Sequence, residues 1–362
     1  MLKAKAEKEA MEKYIEAKKN EAKEGRPSLD DFELLKILGQ GAFGKVMLAR
    51  YKDGSLYALK SVKKMDVMEN EDDIAITMTE RNVLKLGTEC RFIATLFCSF
   101  QTTERLFFAM EYLNGGDLFF HIIKDKKFSV ERSRFYCAEI TLAFLFLHSR
   151  GIIYRDLKLD NVMLTSKGHV KLADFGMCKE NISAEKLTKT FCGTPNFIAP
   201  EIIREQSYGF SVDWWTLGVL TYEMLLGRDP FHAEEQAELY IKIKRVEPKY
   251  PSSLDPMGKD FICQLLVKFP EKRLVGENVK SHPFFDPIDW EALAAGEVDP
   301  PFVPESADPL DTKYFETKFT VMDTNFSIVK MDKNLTELCE TQFPDFSFYD
   351  PVSEEYIIEY ID

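Results

Sequence analysis

Tyr154-Arg155-Asp156-Leu157-Lys158-Leu159-Asp160-Asn161, followed downstream by Asp174-Phe175-Gly176, is the stretch that decides the reading of this chain. It brings carboxylates, an amide and an ammonium group together within a short span. That inventory suits the transfer of a phosphoryl group, a reaction that needs placement and charge neutralisation more than covalent chemistry. A carboxylate must orient the attacking hydroxyl and accept its proton, which suits Asp156. Hard oxygen ligands must hold magnesium, which suits Asn161 and Asp174. A cation beside the moving phosphoryl suits Lys158. Each of these alone is an ordinary surface charge; their joint spacing is what points to chemistry.

Upstream, Gly39-Gln40-Gly41-Ala42-Phe43-Gly44-Lys45-Val46 supplies a glycine loop whose backbone N–H groups can face anionic oxygens. A loop of this type also opens dinucleotide-binding units, or forms a plain turn. A dinucleotide unit requires a helix directly after the third glycine, and Val46-Met47-Leu48-Ala49 continues as strand instead. Tyr57-Ala58-Leu59-Lys60 then ends a hydrophobic strand on a lysine, a residue that is ordinarily solvated. Glu80, in the helix expected from about Asp73 to Leu86, offers the carboxylate such a lysine needs if it is to hold phosphates.

This set resembles that of the protein kinases, and the resemblance covers about Phe32 to Phe348. It implies an α+β, bilobal fold: a small antiparallel β-rich lobe with one key helix, a large mainly helical lobe, and a C-terminal tail wrapping both. The implied domains are an N-terminal helix and linker (1–31), a kinase domain (32–285, lobes 32–110 and 114–285) and a tail (286–362). The implied cofactors are ATP and Mg2+. The nucleotide is expected between the lobes on Gly39, Gly41, Gly44, Val46, Ala58, Lys60 and Met163, its adenine against Glu111-Tyr112-Leu113 behind Met110. Ala199-Pro200-Glu201 closes the activation segment. By resemblance Glu201 pairs with Arg273, Asp213 anchors the catalytic loop, and Leu84, Leu96, Tyr154 and Phe175 form a regulatory hydrophobic stack.

Asp-Leu-Lys-Leu-Asp-Asn in the catalytic loop and Gly193-Thr194-Pro195 resemble serine/threonine kinases. Tyr154 replaces the usual histidine, as in the group holding the cyclic-AMP-dependent kinase and protein kinase C. Asn114-Gly115-Gly116-Asp117-Leu118, Thr190-Phe191-Cys192-Gly193-Thr194-Pro195 and Ser211-Val212-Asp213-Trp214-Trp215 look most like the catalytic region of protein kinase C, the novel type in particular. Phe343-Pro344-Asp345-Phe346-Ser347-Phe348 resembles that group's hydrophobic motif, with Ser347 as phosphoacceptor. Thr190 is the implied activation-loop site, where phosphate would recruit Arg155 and Lys179. Asp117, Asp160 and Glu223 are expected to read basic residues flanking the substrate hydroxyl, and an upstream kinase is an expected partner. The chain departs from the pattern at Asn196-Phe197, where Asp-Tyr is commoner, at Tyr314-Phe315-Glu316, and at the tail's turn site, where Ser327 is a loose candidate.

The formal net charge of -13 disfavours nucleic acid and favours basic partners. Seven cysteines without C-x-x-C spacing suit a reducing compartment. Residues 1–25 are strong helix formers, expected as a solvated helix rather than a secretory signal. No long apolar run appears, so no transmembrane segment is expected. The chain is expected to be a monomer in the cytoplasm, with any membrane recruitment through regions outside it, since no stretch resembles the zinc-bearing or calcium-binding modules of protein kinase C. The rival readings are a catalytically silent kinase-fold scaffold and a nicotinamide-dependent oxidoreductase. Lys60, Glu80, Asp156, Asn161 and Asp174 argue against the first. Lys60, where an acidic ribose contact would close the strand, argues against the second.

Overall fold

The computed structural model describes residues 26–41, 44–305, 308–327 and 333–349. The helix expected over 1–25, and Ala42 and Phe43 of the glycine loop, lie outside them. The chain forms two compact units. One holds Ala94–Asn114 with the chain before Glu89 and after Asp308; the other holds Cys90–Ile93 and Gly115–Ala307.

The first unit is built on β1 (Phe32–Gln40), β2 (Gly44–Tyr51), β3 (Leu56–Lys63), β4 (Leu96–Gln101) and β5 (Arg105–Glu111). They form an antiparallel sheet in the order β1-β2-β3-β5-β4, and Phe348–Tyr349 of the tail extends its β4 edge. Side chains alternate across a strand, so β3 sends Tyr57 and Leu59 to one face and Ala58 and Lys60 to the other. Tyr57 and Leu59 join an aromatic core with Phe32, Tyr51, Phe97, Phe100 and Phe107. The Tyr57 and Phe97 rings stack at 4.4 Å between centroids, within the range where aromatic pairs add to plain area burial. Helix α1 (Lys64–Met68) follows β3 directly. Helix α2 (Glu71–Leu84) buries Thr77, Glu80, Arg81 and Leu84, an i, i+3, i+4, i+7 stripe that places a carboxylate on its inner face.

The second unit is mainly helical. It has α3 (Leu118–Asp125), α4 (Val130–Ser149), α5 (Ser211–Leu226), α6 (Gln236–Arg245) and α7 (Pro256–Leu265). Asp117, Ser129 and Asp255 cap α3, α4 and α7 through side-chain bonds to first-turn N–H groups. Helix α5 is buried almost all round, as its run of large apolar residues requires. A hairpin, β6 (Val162–Leu164) with β7 (Val170–Leu172), turns through Gly168 at φ 93°. A Cβ at that position would lie 2.1 Å from the Phe302 carbonyl oxygen, so only glycine fits. No helix of the described residues is long and apolar enough to cross a membrane.

The tail holds more structure than its sequence suggested. Residues 286–307 belong to the helical unit and the chain after Asp308 to the sheet unit. Helix α8 (Lys333–Thr341) precedes the aromatic motif, with Cys339 buried and its carbonyl accepting from Lys64 Nζ at 2.9 Å. Leu335, Leu338 and Cys339 sit at helical spacing, a signal masked by the Pro- and Asp-rich sequence on either side.

Candidate active site

The catalytic segment is pinned by Asp213 at the start of α5, which is fully buried. Its Oδ2 accepts the Tyr154 N–H at 2.9 Å and its Oδ1 the Arg155 N–H at 2.8 Å. His148 Nε2 lies 2.7 Å from Oδ2. Two adjacent amides bound by one carboxylate hold Arg155 at φ 69°, a conformation that costs a non-glycine residue about 1–3 kcal/mol and persists only where surroundings enforce it. The next residue, Asp156, therefore projects from a fixed backbone.

Asp156 is 6% exposed and sits at the centre of a polar cluster. Lys158 Nζ is 2.9 Å from its Oδ2, and Asn161 Nδ2 donates to that oxygen at 2.9 Å and to the Asp156 carbonyl at 2.8 Å. Thr194 Oγ1 donates to Oδ1 at 2.8 Å, and Lys158 Nζ also reaches Thr194 Oγ1 at 3.3 Å. Because Asn161 donates through Nδ2, its amide oxygen is presented as an acceptor. Asp174 follows at φ 54°, exposed, with Oδ1 accepting from Gly176 N–H at 3.3 Å. Tyr154, buried, donates its hydroxyl to the Ala173 carbonyl and packs edge-on against Phe175 at 5.6 Å. The catalytic loop and the Asp174 turn are thus tied together directly. Burial holds the Tyr154 phenol well above its usual range, so it remains a donor.

In the sheet unit, Lys60 Nζ meets Glu80 Oε1 at 2.5 Å, with side chains 21% and 8% exposed. The pair joins β3 to α2. Gly41 N–H bonds the Gly44 carbonyl at 3.0 Å and closes the described ends of the loop. The glycines divide in purpose. A Cβ at Gly39 or Gly41 would meet nothing within 4 Å, whereas at Gly44 it would lie 1.9 Å from the Ser61 carbonyl oxygen. Gly44 is therefore required by the packing of β2 on β3, and only Gly39 and Gly41 leave open backbone. Val46 and Ala58, both half-buried, pack on a cluster of Leu38, Leu48 and Tyr112. Met110, half-buried, precedes the last residue of β5, the buried Glu111, and Leu113 beyond it is buried too. Leu84 and Leu96 are buried within this unit. Met163 lies half-buried on β6.

A family model described as Protein kinase domain matches residues 32–285. The chain belongs to the protein kinase family. Protein kinase C delta type from Mus musculus is 48% identical over 335 residues, which are 92% of this chain and 49% of that protein. Protein kinase C eta type from Homo sapiens is 47% identical over 333 residues, 90% of this chain and 48% of its own length. Protein kinase C from Drosophila melanogaster is 46% identical over 336 residues, 91% and 45% respectively. This kinase chain spans about half the length of the curated relatives it matches.

Outside the catalytic cluster, the kinase activation segment ends on a fully buried ion pair. Arg273 Nη1 and Nη2 donate to Glu201 Oε1 and Oε2 at 2.7 and 2.9 Å. Thr190 is exposed; its carbonyl accepts from Tyr208 Oη at 2.6 Å, and Tyr208 Oη in turn accepts from Arg155 Nη1 at 3.3 Å. In the tail, Phe343 and Phe346 are fully buried, and Phe346 meets Phe108 edge-on at 5.1 Å. Ser99 Oγ and Gln101 Nε2 donate to the Phe346 and Phe343 carbonyls at 2.6 and 2.7 Å, and Arg81 donates to the Asp345 carbonyl. Ser347, directly after Phe346, is half-buried. Ser327 accepts from Arg105 Nη2 through its carbonyl at 2.9 Å and its hydroxyl at 3.0 Å.

The three carboxylates expected to read substrate are placed differently from one another. Asp117 caps α3, accepting from Phe120 N–H at 2.7 Å, and Asp160 is exposed. Glu223 is 7% exposed and held neutral: burial first, then the neighbouring Asp229, push its carboxyl up to about 10. Sequence reasoning missed Thr194 as a partner of Asp156 and missed Asp229 altogether. Thr194 meets Asp156, and Asn196 meets Asp229, only through the folding of the activation segment.

Proposed function

We propose that this chain is an active serine/threonine protein kinase domain that phosphorylates hydroxyls flanked by basic residues. The observation that carries the reading is the Asp156 cluster. A carboxylate bonded by a lysine, an amide and a threonine hydroxyl is fixed in orientation, as a group that must receive a hydroxyl proton needs to be.

ATP with magnesium supplies the transferable γ-phosphoryl and the charge to neutralise it. The residues fit such a group: Asn161 presents an amide oxygen, Asp174 an exposed carboxylate, and Lys60 an ammonium steadied by Glu80. Asn161 and Asp174 would hold the metal, and Lys60 with the backbone of Gly39 and Gly41 would hold phosphate oxygens. Gly44, Val46, Ala58, Met110, Glu111, Leu113 and Met163 would enclose the rest of the nucleotide. Asp156 orients the substrate hydroxyl and takes its proton, while Lys158 offsets charge on the moving group. Thr194, a hydroxyl donor to Asp156 Oδ1 that also accepts from Lys158, would help to hold both side chains in place.

Asp117, Asp160 and Glu223 would read basic side chains of the substrate. Phosphate on Thr190 would gather Arg155 and Lys179 and order the activation segment, the work of an upstream kinase. Phosphate on Ser347 would reinforce the seated tail. The test is steady-state phosphate transfer to an Arg-flanked peptide carrying Ser, Thr or Tyr. Turnover on Ser and Thr supports the reading. Turnover on Tyr alone, or none with Thr190 phosphorylated, overturns it.

A further inference from the structure

Glu223, near the end of α5, and Asp229, in the loop that follows, line one groove of about 1030 Å3 within the helical unit. Glu223 is 7% exposed, and its Oε2 has no hydrogen-bond donor among the described residues. Its neighbour Asp229 is half-buried and is itself an acceptor. Two carboxyl groups so placed can meet in only two ways, around a shared proton or around a shared cation. Asp229 is held from its far side by Asn196, whose Nδ2 donates to Oδ2 at 2.9 Å. This gives the departure at Asn196 a physical sense. A carboxylate at position 196 would face Asp229 and repel it, whereas the amide orients it and adds no charge.

We propose that Asp229, positioned by Asn196 beside Glu223, is a specificity-determining residue that reads an arginine side chain of the protein substrate. The inference rests on the reading of basic substrates given above and adds to it a residue and a preference. A planar guanidinium presents parallel donors that can engage both carboxyls at once, which a point-like ammonium cannot do as well. Its arrival displaces the shared proton to solvent, so capture strengthens as pH rises.

Lys126, Arg228, His232, Lys249 and Glu247 also line the groove, all exposed, where salt screens them. Lys242 is already paired with Glu238 at 2.7 Å. Asp160 adds negative charge from the catalytic loop. The depth of the Glu223–Asp229 pair, rather than the net charge of the walls, therefore sets the preference.

The test compares three Ser peptides that carry Arg, Lys or Ala at the flanking positions. KM, kcat and direct peptide affinity by fluorescence anisotropy are measured on the full chain for wild type, Asp229→Asn and Glu223→Gln. Asp229→Asn is expected to raise KM and Kd for the Arg peptide about tenfold, the effect of losing one charge-assisted bond. The Ala peptide, kcat and the KM for ATP should stay within about twofold. Wild-type affinity for the Arg peptide should rise between about pH 6 and pH 8.5, and this slope should flatten in Asp229→Asn. If Glu223→Gln loses Arg preference while Asp229→Asn keeps it, Asp229 is a bystander and this inference alone fails. An equal loss on all three peptides would assign Asp229 a structural role instead. A wild type indifferent to Arg would remove the basic-substrate reading and this inference with it.

Discussion

Replacing Arg273 by Met isolates the anchor at the end of the activation segment. The Arg273 and Glu201 side chains are 0% and 1% exposed and meet through two parallel bonds. Arg273 also donates to the Ser211 carbonyl at 2.8 Å and to the Val267 carbonyl at 3.0 and 3.2 Å. With Met at 273, Glu201 keeps, among the described residues, the Ser211 hydroxyl alone, at 3.4 Å. Removing one partner of a buried pair costs about 3–5 kcal/mol, because the other charge is left desolvated. Methionine fills much of the arginine's volume, so cavity formation is a minor addition. For a unit of this size a loss of about 4 kcal/mol lowers Tm by about 8–16 °C. Calorimetry on wild type, Arg273→Met, Glu201→Leu and the double variant measures the coupling. The double variant should be less destabilised than the sum of the singles by at least about 2 kcal/mol, since it leaves no orphan charge. A Tm drop under about 2 °C for Arg273→Met, or simple additivity, would refute the reasoning.

Phe346→Ala removes a fully buried ring worth about 3–5 kcal/mol of local packing and should undock the tail from β4. Hydrogen exchange should then accelerate at least tenfold in β4 amides while the helical unit is unchanged; uniform exchange would contradict this. Glu223, raised from 4.5 to about 10, gives stability that is complete below pH 4.5 and is lost as pH rises toward about 10. Glu223→Gln should therefore flatten the fall in Tm between about pH 5 and pH 9, and an unchanged slope would count against a buried neutral carboxyl. Thr190→Ala should lower kcat more than tenfold relative to the phosphorylated protein with the KM for ATP within about twofold. Equal turnover would remove Thr190 from regulation.

Much of the fold was legible because period and punctuation agree. Ser129 caps the long apolar segment that forms the helix Val130–Ser149, and Ser166-Lys167-Gly168 is the turn signal of a hairpin that only glycine fits. Alternation along Leu56–Lys63 sets Lys60 on the face opposite the aromatic core, and the helical stripe through Glu80 turns the carboxylate inward. Their 2.5 Å contact follows from two local patterns. What stayed hidden depends on chain separated by long loops. Thr194 reaches Asp156, and Asn196 reaches Asp229, only through the path of the activation segment. Gly44 looked like its companions, yet it is explained by the Ser61 carbonyl on the next strand. Helix α8 was hidden by its neighbours' composition, and it is stabilised by contacts such as Lys64 to the Cys339 carbonyl.

The central claim rests on Asp156, and one comparison tests it most directly: single-turnover phosphate transfer by wild type and Asp156→Asn at equal nucleotide occupancy. The substitution is isosteric, so Asn161, Lys158 and Thr194 keep a partner and nucleotide affinity should hold within about twofold. Transfer by the variant should fall by about 100- to 10,000-fold. Transfer at the wild-type rate would contradict the assignment, and a wild type that binds nucleotide but never transfers phosphate would identify a kinase-fold scaffold instead.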